Sequence, residues 1–382
     1  MTPGTPPPGR GPSRRSLLLA APAAVALGLL AACAQGPAPL PPRRMLGVGF
    51  EDAVAGPARL RELAGRLETA GINEVSIAAG RVDWTLFPWP GHEGAWSADA
   101  REAGEERDLL AEAIRALRPA PDGAGRGLVL VVDVLAPRLI AERTELAAAS
   151  STGERLPETA GLAALARGPV AEEIVALVGE LAARYRPDAV SLTELFLEDS
   201  TYSAADLRDY RQATGAEDWP RTADGAIDTR DGRVVDWRCR AVAELVARAR
   251  QAAAEHGTEL WMEVRAPRER ADGDRRDSGH DYALLAEAAD RLVLWDYFGV
   301  AEPGSPDTRS LARALARRDD GRGVLSIGLW DRPEGAIEPA ELREAVEEAA
   351  RGGSGAVWVT PASLMGEAHW RALAQAWRPD AA

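Results

Sequence analysis

The 382-residue chain contains no lysine, so all 45 of its basic residues are arginine. Schiff-base aldolases, pyridoxal-phosphate enzymes and P-loop NTPases each depend on a lysine amine, and all three classes are excluded. Cysteine is nearly as scarce. Cys33 and Cys239 alone cannot build a disulfide framework. Four histidines are scattered without HxH or HExxH spacing, which leaves a zinc site without a ligand set. Acids number 59, for a net charge of −14. Phosphate affinity comes from a basic face, so this balance argues against a nucleic-acid partner. Nothing in the composition calls for a metal or an organic cofactor.

Long hydrophobic runs are also rare. One lies near the N-terminus, at residues 17–32, behind Ser13-Arg14-Arg15-Ser16. It is short and rich in small residues, and its charged flank is that of a signal peptide rather than a membrane span. The run ends Leu30-Ala31-Ala32-Cys33, which resembles the lipobox of bacterial lipoproteins. That resemblance implies cleavage before Cys33, lipidation of Cys33, and a protein held on the extracytoplasmic face of the bacterial cell membrane by its lipid alone. Arg14-Arg15 resembles a twin-arginine export signal, with Leu17 where that family usually has Phe. Removing residues 1–32 takes away three Arg and no acid, leaving a net charge of −17. Residues 33–44 read as a Pro-rich tether. Cys239 is expected to be a packed apolar side chain on a helix.

Beyond the tether, short β-rich runs alternate with alanine-rich amphipathic stretches. The pattern predicts strands over 45–50, 72–80, 128–135, 189–196, 259–265, 291–298, 323–330 and 355–360. Helices are expected over 57–70, 99–117, 168–185, 235–256, 281–289, 306–318, 338–351 and 366–377. Eight βα units predict a single (β/α)₈ barrel over residues 45–378, with its longest loop after strand four. A doubly wound open sheet is the alternative, but Gly47 and Gly49 form no GxGxxG turn opening a helix.

Alternation within the strands supports closure. Leu260, Met262 and Val264 read as outward, leaving Trp261, Glu263 and Arg265 inside. The same phase puts Gly47, Gly49 and Glu51 inside in strand one, Ser326, Gly328 and Trp330 in strand seven, and Trp358 and Thr360 in strand eight.

In such a barrel, chemistry lies at the C-terminal strand ends. The acids there are Glu51, Asp83, Asp133, Glu194, Glu263, Asp296 and Asp331. Trp84, Trp261, Trp295, Trp330, Trp358 and Tyr297 share those ends, and His92 lies in the Trp-rich loop 84–96. Flat aromatic faces stack on sugar C–H faces, and paired carboxyls can protonate a glycosidic oxygen and stabilise an oxocarbenium-like centre. Taken one at a time, each Trp reads more readily as core and each acid as the partner of an Arg; only the whole set at one end of eight strands puts the two readings level.

Pro187-Asp188-Ala189-Val190-Ser191-Leu192-Thr193-Glu194, then Tyr202-Ser203-Ala204-Ala205-Asp206-Leu207, Thr214-Gly215 and Asp236-Trp237-Arg238, resemble bacterial glycoside-hydrolase-like barrel lipoproteins of the envelope. These include family-ten-like glycosidase lipoproteins and, more distantly, the hydrolase domain of poly-N-acetylglucosamine-processing lipoproteins. The resemblance implies an acidic catalytic residue at the end of strand four, which here is Glu194. Two features depart from those families. The strand-four string Ser191-Leu192-Thr193-Glu194 replaces their Asp-rich string, and the DxxDxDxE string of chitinases is absent.

Strict alternation sends Glu194 outward with Val190 and Leu192, unless the strand ends at Thr193 or bulges there. Asp296 meets the same conflict, because Val293, Trp295 and Tyr297 share the opposite face. The reading that results is a membrane-tethered extracytoplasmic glycoside hydrolase acting on a polysaccharide or oligosaccharide. Glu194 is its general acid/base, Glu263 or Asp296 the second carboxylate, and Arg265 and Tyr297 orient the sugar. The alternative is a non-catalytic carbohydrate-binding lipoprotein on a degenerate barrel.

Overall fold

The computed structural model describes residues 38–101, 107–121, 123–318, 321–333 and 335–378. The expected signal segment and Cys33 lie outside them. Eight barrel strands are β1 (Arg43–Val48), β2 (Glu74–Arg81), β3 (Gly127–Asp133), β4 (Ala189–Thr193), β5 (Glu259–Arg265), β6 (Arg291–Asp296), β7 (Val324–Gly328) and β8 (Ala356–Thr360). All pair in parallel with their neighbours in chain order, and β1 pairs with both β2 and β8, which closes the barrel. The chain is a (β/α)₈ barrel.

The principal helices are α1 (Pro57–Thr69), α2 (Leu109–Leu117), α3 (Pro169–Tyr185), α4 (Gly232–Ala254), α5 (Tyr282–Ala288), α6 (Thr308–Arg318), α7 (Pro339–Arg351) and α8 (Glu367–Trp377). Proline opens α1, α3 and α7, where a missing N–H costs nothing. The helix expected over 99–117 has a shorter main part. Asp108 accepts a hydrogen bond from the Ala111 N–H at 2.8 Å and caps a fresh start for α2. The Pro-rich tether is also shorter than expected, because Arg43 and Arg44 already pair with Ala356 and Val357 of β8.

Two apolar layers sit on the two faces of the barrel wall. Leu46, Ile77, Leu130, Val190, Leu260, Met262, Leu294, Ile327 and Val357 belong to the layer packed under the helices. Met45, Val129, Ala189, Trp261, Val293, Val324, Ala356 and Trp358 fill the interior. The β5 register is therefore the one alternation predicts. A fully buried Leu, Ile or Val contributes about 1.5–3 kcal/mol, so a one-residue slip in any strand would forfeit several such terms.

Excursions from the βα pattern sit at the strand ends. Ala147–Ala149 pairs with Arg155–Ala160, and Trp330–Asp331 pairs with Gly335–Ala336. Apart from Arg155–Ala160, these strands have two or three residues, too few positions for a period to show. The longest excursion follows β4 and holds the helix Ala204–Thr214, capped by reciprocal Ser203 and Asp206 hydrogen bonds.

Candidate active site

β4 ends at Thr193, and the backbone of Glu194 turns to φ +61°. This left-handed conformation breaks the alternation, so Glu194 does not follow Val190 and Leu192 outward. It faces the barrel mouth and lines two adjoining cavities. A side chain held there costs about 1–3 kcal/mol, the kind of strain found at functional sites.

Glu263, on the inward face of β5, is 6% exposed. The Ser191 hydroxyl donates to its Oε1 at 3.0 Å. The Thr193 hydroxyl donates to its Oε2 at 3.0 Å and the Trp295 Nε1–H at 2.8 Å. Asp133, at the end of β3, completes a group of three acids. Burial pushes the Glu263 carboxyl up to about 7 despite its donors, and the neighbouring Asp133 adds to the shift. Burial also pushes Glu194 up to about 7, reinforced by Asp133 and Glu263 and opposed by Arg265. Burial raises Asp133 to about 6. These groups titrate as a coupled set. Glu263 has three donors that favour its ionised form, whereas Glu194 has none among the described residues. Hydrogen bonding therefore favours the negative charge on Glu263 over Glu194.

The larger cavity, about 730 Å³, has walls of Phe196, Arg265, Trp295, Tyr297, Phe298 and Trp330. The smaller, about 450 Å³, is hollowed by small residues, Gly47, Gly49, Ser76 and Ala78, and holds Asp133, Glu263 and Trp358. Glu194, Tyr297 and Trp330 line both. Gly328 is needed here, because a Cβ on it would lie 2.4 Å from the Tyr297 ring. Its absence lets Tyr297 stack on Trp295 at 5.0 Å. Among the described residues, no group of three or more His, Cys, Asp or Glu has the arrangement of a metal site.

Glu51 and Asp331 reach the cavities, each from the rim. Other expected residues are placed differently from the expectation. Trp330 is not inside the barrel; β7 stops at Gly328, and Trp330 stands 39% exposed in the hairpin above the mouth. Trp261 points inward as expected but is 0% exposed in the inner core, its Nε1–H donating to Glu259 at 2.8 Å, and it cannot meet a substrate. Asp296 borders the larger cavity, but its carboxyl hydrogen-bonds Thr308 at the start of α6, its Oδ2 is buried without a partner among the described residues, and neither Glu194 nor Glu263 is among the groups that shift its proton affinity. Asp83 accepts the Arg138 N–H at 2.7 Å and anchors the helix Pro137–Glu142. Trp84 packs edge-on against Phe50. His92 stacks on Trp89 and meets Glu173 of α3 at 2.8 Å. None of these last three residues lines either cavity.

Sequence reasoning passed over Ser191 and Thr193, although their inward phase on β4 was legible. His280 also carries no sequence signal, since it stands in none of the histidine spacings. His280 is buried, accepts the Arg265 N–H on Nδ1 at 3.2 Å, and donates from Nε2 to the Leu195 carbonyl at 2.8 Å. Burial lowers it to about 4, so the ring is neutral and clamps the turn carrying Glu194 to the end of β5. His280→Ala is expected to lower the unfolding free energy by about 1–3 kcal/mol, as measured by urea denaturation, because two buried backbone groups lose their partner.

Glu194 and Glu263 also make stability depend on pH. Their carboxyls bind protons in the folded state that the unfolded chain, with values near 4.5, has released. Their contribution is most favourable below about 4.5 and is lost as pH rises through about 7. The melting temperature is expected to fall from about pH 5 to about pH 8, and to fall less in Glu194→Gln. A calorimetric pH series on both proteins checks this.

No sequence family model and no curated protein matches the chain. Solved structures do match its fold. The glycoside hydrolase domain of PgaB (BpsB) from Bordetella bronchiseptica superposes with TM-score 0.65 at 16% identity, covering 89% of this chain and 99% of that one. A beta-galactosidase from the psychrophilic Marinomonas ef1 gives 0.65 at 13% identity, over 88% of this chain and 59% of that one. The catalytic domain of a beta-amylase from Paenibacillus polymyxa gives 0.62 at 10% identity, over 90% of this chain and all of that one. At these identities the likeness establishes a shared (β/α)₈ fold.

Proposed function

We propose that this chain is a glycoside hydrolase acting on a polysaccharide or oligosaccharide, with Glu194 as general acid/base and Glu263 as the second carboxylate. The observation that carries the reading is the place of Glu194. It stands where the two cavities meet, beside a more deeply buried, more strongly hydrogen-bonded Glu263. A glycan lying through both cavities would put one glycosidic oxygen at this junction. The protonated Glu194 would donate to that oxygen, and the charge on Glu263 would support the oxocarbenium-like centre in the smaller cavity. Trp330 and Tyr297, whose rings lie 5.0 Å apart at 49°, form one aromatic wall of the same junction.

One observation favours the alternative of a binding protein. No donor among the described residues orients the Glu194 carboxyl, and the strand-four string is unlike that of the resembling barrels. A screen of polysaccharides and oligosaccharides for new reducing ends decides between the two. Hydrolysis supports the enzyme. Binding without hydrolysis by the unmutated protein moves the assignment to carbohydrate binding.

The Leu30-Ala31-Ala32-Cys33 sequence supports a lipid anchor on the extracytoplasmic face of the membrane, with export by the twin-arginine route. Mass spectrometry of the mature protein is expected to find a diacylglyceryl-modified N-terminal Cys33. Cys33→Ala that remains normally anchored would sink this assignment.

A further inference from the structure

The wall of the larger cavity carries an unbalanced charge network. One oxygen of Glu198 accepts from Arg265 Nη1 at 2.8 Å, Arg275 Nη2 at 3.0 Å and the Ser278 hydroxyl at 2.6 Å. Asp277 accepts from Arg275 Nε and Arg268 Nη2, both at 3.1 Å. By hydrogen bond, three guanidiniums thus share two carboxylates, and Glu194 adds only a longer-range attraction to Arg265, with no hydrogen bond between them among the described residues. Arg275 is buried and its donors are engaged, one of them by the Ala266 carbonyl. The excess falls on Arg265. Its Nη1 is held by Glu198, while Nε and Nη2, the edge that makes side-on bidentate pairs, have no partner among the described residues. The guanidinium lies 4.9 Å over the Phe196 ring, which fixes its plane, and the side chain is 38% exposed.

Arg332 stands in the same cavity, with Glu302 at 3.8 Å and the exposed Asp331 beside it. That side, with two carboxylates to one guanidinium, has an excess of acid, and the cation excess lies on the Arg265 side. A chain of net charge −14 repels polyanions in general, so an unpaired guanidinium edge one residue pair above Glu263 acts as a local reader of negative charge.

We propose that the larger cavity takes a sugar unit bearing a carboxylate, recognised by the Nε and Nη2 edge of Arg265. The proposal rests on the glycan-binding reading above and adds the class of sugar. The carboxylate would be either a uronate at C6 or an acidic ether or ketal substituent on a neutral ring. In both cases two parallel N–H···O bonds would fill the edge of Arg265 that no carboxylate among the described residues hydrogen-bonds.

The test uses glucuronate- and galacturonate-containing oligosaccharides, pyruvyl-ketal oligosaccharides, and the carboxyl-reduced neutral counterpart of each. Dissociation constants are measured by calorimetry on full-length Glu194→Gln, so that nothing is consumed. An acidic member is expected to bind at least about tenfold more tightly than its reduced partner. The preferred acidic class identifies the source of the carboxylate. Adding Arg265→Gln is expected to bring that ratio to about one, while Arg265→Lys keeps part of it. Should Arg265→Gln fail to fold, the ratio in the unsubstituted pocket must fall with rising salt.

Equal binding of acidic and reduced members, a preference that survives Arg265→Gln, or binding by neutral glycans alone overturns the proposal. An acidic glycan bound but left uncut by the unmutated protein overturns the hydrolase reading and supports this one. Cleavage of neutral glycans without acidic preference does the reverse.

Discussion

Glu194→Gln is expected to lower turnover on a hydrolysed glycan by about 10²–10⁴-fold, the range for loss of a general acid/base. The carboxamide has nearly the shape of the carboxyl but cannot deliver a proton to a leaving oxygen. No hydrogen bond to Glu194 is lost, because none of the described residues donates to it. The Kd for the glycan is therefore expected to change little, and the folded structure to remain. The same reasoning predicts a pH profile for the unmutated protein. The acid must be protonated, so kcat/KM declines as pH rises through about 7, a value belonging to the coupled acids rather than to Glu194 alone. Steady-state rates across pH on both proteins check this. Unchanged turnover in Glu194→Gln would remove it from the mechanism and leave its raised proton affinity a consequence of burial.

Glu263→Gln is expected to be at least as damaging, with turnover reduced by about 10²-fold or more. Three donors converge on Glu263: the Ser191 and Thr193 hydroxyls and the Trp295 indole N–H. They hold the carboxylate in one orientation and compensate its negative charge. A carboxamide keeps one acceptor oxygen and turns two N–H groups toward that ring of donors. The hydroxyls can rotate to accept; the indole N–H cannot, so the amide oxygen must face Trp295. The result is a neutral group where the mechanism needs charge. Stability should move the other way. A buried carboxylate that must ionise near pH 8 is destabilising, so Glu263→Gln is expected to melt no lower than the unmutated protein at about pH 8. Rates and melting curves measured together separate this from simple misfolding, which would lower both. Full activity in Glu263→Gln would leave Asp133 as the remaining acid of the group and reassign the second carboxylate.

The eight βα units, their order and the inward faces of β5 and β8 were legible along the chain. They depend on period and length, which are local properties that neighbouring residues carry together. Trp261, Glu263 and Arg265 share one face by period alone. Their heights along the barrel axis do not follow from period. Those come from inter-strand register, which pairs Trp261 with Ser191 and Arg291, dozens of residues away. That register sinks Trp261 into the inner core and leaves Arg265 at the mouth.

The same limit applies to the acids. Alternation alone would have removed both Glu194 and Asp296 from the site. Asp296 keeps that outward phase and bonds Thr308, though it still borders the larger cavity, whereas at Glu194 a single φ of +61° reverses the side chain. The conformation of that turn is held by His280, which reaches from beyond β5 to the Leu195 carbonyl. The raised proton affinities are tertiary as well, since they need Asp133, Glu194 and Glu263, from three strand ends, in one desolvated mouth. The chain alone determines that these residues sit at strand ends. Which of them meet is decided by barrel closure, because only the closed wall brings strands β3, β4, β5 and β6 around a common axis.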